Sequence, residues 1–122
     1  MGRFKLCILL LYMMKESKEV KGIVANKGYV YGAVRVILSE EDIKKVQYGD
    51  VIIMDELKQD MVDVIKDCVA LITDKGDINS YSARVCKERG LPCIIGTLRA
   101  TKVFNDDELV FVDAENGIVR KD

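Results

Sequence analysis

The sequence has no histidine, so none of its four cysteines can be joined by imidazole in a mixed zinc site. The cysteines are Cys7, Cys68, Cys86 and Cys93, and no two of them form a C-x-x-C pair. Cys68, Cys86 and Cys93 lie in apolar contexts and read as free, buried thiols of a reducing cytoplasm. Charge of one sign is also missing. The 19 basic and 20 acidic residues leave a net charge of -1, and no lysine/arginine run exceeds a pair. Aromatic residues are few and are not interleaved with basic ones, so neither a phosphate-attracting field nor a base-stacking platform for nucleic acid is present. The single proline is Pro92, and there is no repeat, low-complexity tract or proline/serine-rich linker.

Long hydrophobic runs are absent as well. The longest apolar stretch, residues 6–14, is about half the length a membrane-spanning helix needs. It follows Arg3 and Lys5 like a signal peptide, but no small-x-small cleavage site comes after it. Met13 and Met14 could each begin a shorter chain. Residues 1–13 are therefore expected to be an over-extended start or a loose segment, with a membrane or partner anchor as the alternative. Residues 1–19 together form an apolar segment and charged connector, and no membrane association is expected of the rest.

What is present is enough for one folded domain. A chain of 122 residues, 49% apolar and 32% charged, can bury a core without disulfides or metal. Residues 30–37 are β-branched and aromatic and predict a strand. Ser39 followed by Asp42 predicts a capped short helix. Residues 51–54 and 69–73 read as buried strands. Between them, residues 59–67 predict a longer helix with Met61, Val64, Ile65 and Cys68 on one side and Asp63, Lys66 and Asp67 in solvent. A helix over about 80–89 is closed by Gly90 and Pro92. Residues 93–95, 109–112 and 118–120 predict further strands, and Asn116-Gly117 a tight reversal between the last two. Strands alternating with helices in the middle, between strand-rich ends, indicate an α/β domain with a mixed sheet.

The most distinctive stretch is Thr73-Asp74-Lys75-Gly76-Asp77, then Asn79-Ser80-Tyr81-Ser82-Ala83, then Gly90-Leu91-Pro92. With Gly22 to Val36 upstream, Gly49-Asp50-Val51, Gly96-Thr97 and Asp113 to Val119, it resembles the phosphohistidine mobile domain of PEP-utilising enzymes such as pyruvate phosphate dikinase and PEP synthase. That family's pattern runs roughly T-D-x-G-G-x-x-S-H-A-A-x-x-A-R-E-x-G-x-P. The resemblance covers about residues 22–119 and implies the swivelling β/β/α fold over residues 20–122. In the family this domain swings between an ATP-binding and a PEP/pyruvate domain and carries phosphate on its histidine. The departures fall where that chemistry would be. Tyr81 stands at the phosphohistidine position, Asp77 replaces the loop's second glycine, and Asn26-Lys27 replaces a serine-proline pair. Met54-Asp55-Glu56-Leu57 stands where the family has a T-x-P turn.

A reversible carrier must attack at neutral pH and yield a labile product. Imidazole does both, whereas a phenol ionises only near pH ~10 and its phosphate is a stable ester. The chain is thus expected to be a stand-alone, non-catalytic binding or regulatory member of the family, a cytoplasmic pseudoenzyme. One alternative is a phosphotransferase subunit working with separate ATP-binding or PEP-binding partners. The other is the small swivelling subunit of a dehydratase-like enzyme. Anion-binding candidates at the helix start are Asn79, Ser80 and Ser82, since a helix N-terminus favours phosphate. Helix capping by Asn79 or Ser80 explains the same residues without a ligand. Arg84, Lys87 and Arg89 read as a solvated helix face, and Asp106-Asp107-Glu108 as a solvated turn. No cofactor and no metal are expected.

Overall fold

The computed structural model describes residues 18–121. The expectations for residues 1–13 and for Cys7 lie outside the described residues. In chain order come β1 (Glu19–Lys21), β2 (Ile23–Asn26), β3 (Tyr29–Ile37), a 3-10 segment (Glu40–Lys45) and β4 (Val51–Met54). A second 3-10 segment (Gln59–Ile65), β5 (Ala70–Thr73), helix α1 (Tyr81–Arg89) and β6 (Cys93–Ile95) follow. The short helix α2 (Ala100–Val103), β7 (Leu109–Asp113) and β8 (Ile118–Lys121) complete the described residues.

Strands β4, β5 and β6 are buried at every position, which is why they read as apolar runs, broken only by Thr73 at the end of β5. They pair in parallel with each other and with the end of β3, in the register Val34↔Val51, Ile52↔Leu71 and Ile72↔Ile94. The first half of β3 pairs antiparallel with β7, Tyr31 opposite Phe111. The nine-residue β3 therefore belongs to both halves of the sheet. The strand order is β1-β8-β7-β3-β4-β5-β6-β2. Its two ends, β1 and β2, are separated in the chain only by Gly22, so the sheet curls back on itself there. Glycine is required at that crossing. A Cβ on Gly22 would lie 2.5 Å from the Ile95 carbonyl oxygen, and the Gly22 N–H donates to the Gly117 carbonyl at 2.9 Å.

Side-chain alternation along the parallel strands builds two cores. One face sends Val34, Val51, Ile53, Ile72 and Ile94 against Val110, Val112 and Val119 of the antiparallel half, with Phe104 beside them. The opposite face sends Ile52, Met54, Leu71, Cys93 and Ile95 against Ala83, Val85 and Cys86 of α1 and against Val64 and Ile65. The layers are sheet, sheet, helix: the swivelling β/β/α arrangement implied by the resemblance.

Two elements differ from the sequence reading. The longer helix expected over 59–67 is a 3-10 segment, although Val64 and Ile65 are buried and Asp63, Lys66 and Asp67 exposed as expected. No side chain caps it at Lys58, and the β-branched Val62, Val64 and Ile65 lower its α propensity slightly. The short helix after Ser39 is likewise 3-10. Its Asp42 carboxylate accepts from the Leu38 and Ser39 amides, which, Leu38 first, holds that carboxyl below its usual range against the opposing pull of burial. Strands β1 and β2 and helix α2 had no counterpart in the residue-pattern reading. Each spans at most four residues, too few to show a period.

Candidate functional site

The distinctive stretch joins the end of β5 to the start of α1. Gly76, in a left-handed conformation at φ 110°, turns the chain off the sheet edge. The Asp77 carboxylate then accepts the Asn79 amide at 2.8 Å, and the Asp77 carbonyl accepts the Ser80 amide at 3.0 Å. This local turn delivers Ser80 in extended geometry, where its hydroxyl oxygen accepts the Ala83 amide at 3.3 Å and caps α1. At the other end Gly90 is left-handed at φ 65°, as a helix-terminating glycine should be.

The four candidate residues therefore part company. Ser80 is at the helix start as expected, but its oxygen is occupied with capping. Asn79 is exposed, its amide held by Asp77. Ser82 points into the protein. It is buried, and its oxygen accepts the Leu57 amide at 3.1 Å, binding α1 to the segment after β4. Tyr81 is half-buried against the helix-side core, with the Arg84 guanidinium carbon 5.8 Å from its ring centroid. Leu57, Lys58, Gln59, Tyr81 and Arg84 line an open groove of about 390 Å³. Arg84, Lys87 and Arg89 are all exposed.

Below this loop lies a network that the residue patterns did not signal. Asp74 is buried, and its carboxylate accepts the Thr97 hydroxyl and the Thr101 amide at 3.1 and 3.2 Å, together with the Thr101 hydroxyl. The Asp74 carbonyl accepts the Leu98 amide at 3.0 Å. Asp74 thus fastens α2 and the turn after β6 to the base of the loop. Lys75, the next residue, pairs with Asp55 at 3.1 Å across the ends of β4 and β5. The threonine-aspartate string hinted at this position, but its partners lie more than twenty residues along the chain.

The thiols among the described residues are free and lie in or beside the core. Cys86 and Cys93 are buried together in the helix-side core. The neighbouring Cys86 thiol, then burial, pushes the Cys93 thiol well above its usual range, while burial pushes Cys68 up to about 12. No group of three or more metal-binding side chains occurs among the described residues. No helix among them is long and apolar enough to cross a membrane. The turn at Asp106-Asp107-Glu108 is solvated as expected, with Asp106 and Asp107 exposed, and it is ion-paired as well. Arg35, buried in β3, meets Asp107 at 3.1 Å and Asp106 at 3.9 Å, and Lys18 and Lys121 each meet Glu108 at 3.0 Å.

Known proteins show the same architecture and pattern. A probable phosphoenolpyruvate synthase of Archaeoglobus fulgidus is 42% identical over 100 residues, which is 82% of this chain and 13% of that protein. The chain therefore spans about an eighth of that relative's length. Among solved structures, aconitase X of Thermococcus kodakaraensis in its holo-form superposes with a TM-score of 0.66 at 17% identity, covering 84% of this chain and 97% of that one. An NMR structure of Enzyme I gives a TM-score of 0.57 at 22% identity, over 66% of this chain and 33% of that one. At those identities the two structures share the fold with this chain. The family model described as "PEP-utilising enzyme, mobile domain" matches residues 46–117, more than half of the chain. The chain belongs to the mobile-domain family of PEP-utilising enzymes.

Proposed function

We propose that this chain is a docking module of the mobile-domain family that carries no phosphoryl group itself. The observation behind this reading is Tyr81 in the first turn of α1, at the place of the family pattern's histidine, in a chain without any histidine. A phenol holds phosphate as a stable ester, which does not return to pyruvate or nucleotide as a phosphoramidate does. The surroundings support the same reading. Asp77 sets a carboxylate on the Asn79 amide, beside the donors an incoming phosphate would need. Ser80 is occupied as a cap and Ser82 is turned inward. The partners are ATP-binding or PEP-binding units, and the module engages them as an active carrier would, without the transfer. Buried free thiols suit a reducing compartment, and this reading puts the chain in the cytoplasm.

A second reading, a phosphotransferase subunit using Tyr81, draws on Arg84, whose guanidinium lies over the phenol ring. One experiment separates the two. The protein is incubated with radiolabelled ATP or PEP and a PEP synthase lacking its own mobile domain. The docking reading expects no label on the wild-type chain and acid-labile label on Tyr81→His. Label on the wild type that disappears in Tyr81→Phe would establish the carrier reading instead.

A further inference from the structure

At the C-terminal ends of β3 and β4 a groove of about 330 Å³ opens beside the candidate site. Its floor is apolar, formed by Ile37, Met54 and Met61. Its rim carries the carboxylates of Glu40, Asp55, Glu56 and Asp60, with Lys58 as the cation among them. Asp55 is taken by Lys75, but Glu40, Glu56 and Asp60 have no ion-pair partner among the described residues. Leu38 stands on the lip with 75% of its surface exposed. In open α/β sheets, this end of the parallel strands is where ligands are received.

The chemistry of the groove selects its occupant. Three unmatched carboxylates around an apolar floor repel phosphate and attract a cation. A lysine or arginine side chain fits both features, its aliphatic stem on the floor and its charged head at the rim. The exposed Leu38 beside the apolar floor favours a polypeptide, which can bring an apolar side chain with its cation, over a small free amine. Lys58 also lines the groove that holds Tyr81 and Arg84, so the two grooves flank the segment 55–60 and form one strip from Leu38 to the start of α1. The strip crosses Met54-Asp55-Glu56-Leu57, where this chain departs from the family pattern.

We infer that this acidic, apolar-floored strip docks a basic segment of a partner protein, one that alternates lysine or arginine with leucine-like residues. The inference rests on the docking-module reading and supplies the partner's chemistry. Cationic heads meet Glu40, Glu56 and Asp60, and an apolar neighbour covers Leu38.

The test is an NMR titration of the isotope-labelled chain with a decapeptide of alternating leucine and arginine. Amide shifts are expected at residues 37–40 and 54–61, with affinity falling as salt rises. The triple variant Glu40→Gln, Glu56→Gln, Asp60→Asn should bind about tenfold more weakly, whereas Glu115→Gln, an exposed acid on another turn, should bind as the wild type does. Circular dichroism confirms that the variants are folded. Undiminished binding by the triple variant, or equal binding by a leucine-glutamate peptide, overturns the inference. Spermine that reproduces the peptide's shifts and affinity also overturns it, because a free amine would then suffice. Failure here is separable from failure of the underlying reading. A chain labelled on Tyr81 that still binds the peptide loses the non-carrier reading alone, and an unlabelled chain that ignores the peptide loses the groove alone.

Discussion

Two acidic regions of this protein have similar composition and opposite electrostatics. In Asp106-Asp107-Glu108 every carboxylate meets a cation: Arg35 faces the two aspartates, and Lys18 and Lys121 converge on Glu108. In the groove beside Met54, Glu40, Glu56 and Asp60 form no ion pair among the described residues, although Lys58 lines the same groove and Lys75, bound to Asp55, feels the charge of Glu56. A matched carboxylate holds the fold together. An unmatched one contributes little to stability and keeps its charge available for a partner. Acidity alone therefore says nothing about role, and the location of the cations decides it.

The sharpest way to break the comparison is to remove the buried cation on the matched side. Arg35 is 6% exposed and donates from Nε to Asp50, itself 4% exposed, at 3.1 Å. Arg35→Ala would leave Asp50 charged and buried with little beyond the Gln47 amide for company. A loss of about 3–5 kcal/mol is expected in urea unfolding, as for other broken buried pairs. A loss below about 1 kcal/mol would show that the network is not holding the turn.

Glu108 gives a smaller and pH-dependent effect. Burial pushes its carboxyl up, but the Asn105 amide, Lys18 and Lys121 outweigh that and hold it at about 2, against an ordinary value of 4.5. A carboxyl depressed in the folded state stabilises above its unfolded value and loses that contribution as pH falls through its folded one. Stability should therefore be level above pH 4.5 and drain as pH falls toward about 2. The linkage amounts to about 3–3.5 kcal/mol before solvent screening at the partly exposed lysines, and less after it. Glu108→Gln should cost about 1–2 kcal/mol at neutral pH and flatten the acid limb between those values. Thermal melts of both proteins across that pH range measure it, and an unchanged acid limb would place the titrating group elsewhere.

The smallest expected effect lies on the unmatched side and sharpens the contrast. Glu56→Gln should change stability by no more than about 0.5 kcal/mol, since it breaks no ion pair present among the described residues. A clear loss in the same urea experiment would mean that this carboxylate has a structural partner, and the groove would lose a docking charge.

Much of the fold could be read before the structure. The run Val51–Met54 and residues 70–72 are apolar at every position because both faces of a parallel sheet are covered, and that state leaves a direct imprint on composition. Gly90 with Pro92 marked the end of α1, since each acts through its own backbone constraints. The site was legible to the same depth. Ser80 as a cap depends on neighbours three residues away, and it stands where expected. Ser82 was grouped with it, yet its partner is Leu57, 25 residues distant and on another element, and no local pattern encodes that contact. The residues over 59–67 showed which side faces inward but not which helix they form, because similar periods give the same inward face over two turns.

By itself, the sequence determined the alternation of strands and helices, the punctuation of α1 and the absence of any histidine. The alternation and the punctuation are properties of single residues and of short-range spacing, whereas the role of Tyr81 belongs to the proposed function. Only the tertiary structure decided which carboxylates are neutralised. Lys18 and Glu108 are 90 residues apart in the chain and Arg35 and Asp107 are 72 apart, and they meet because the curled sheet brings its distant strands together. Electrostatic energy depends on distance in space, which chain order leaves open until the sheet has closed.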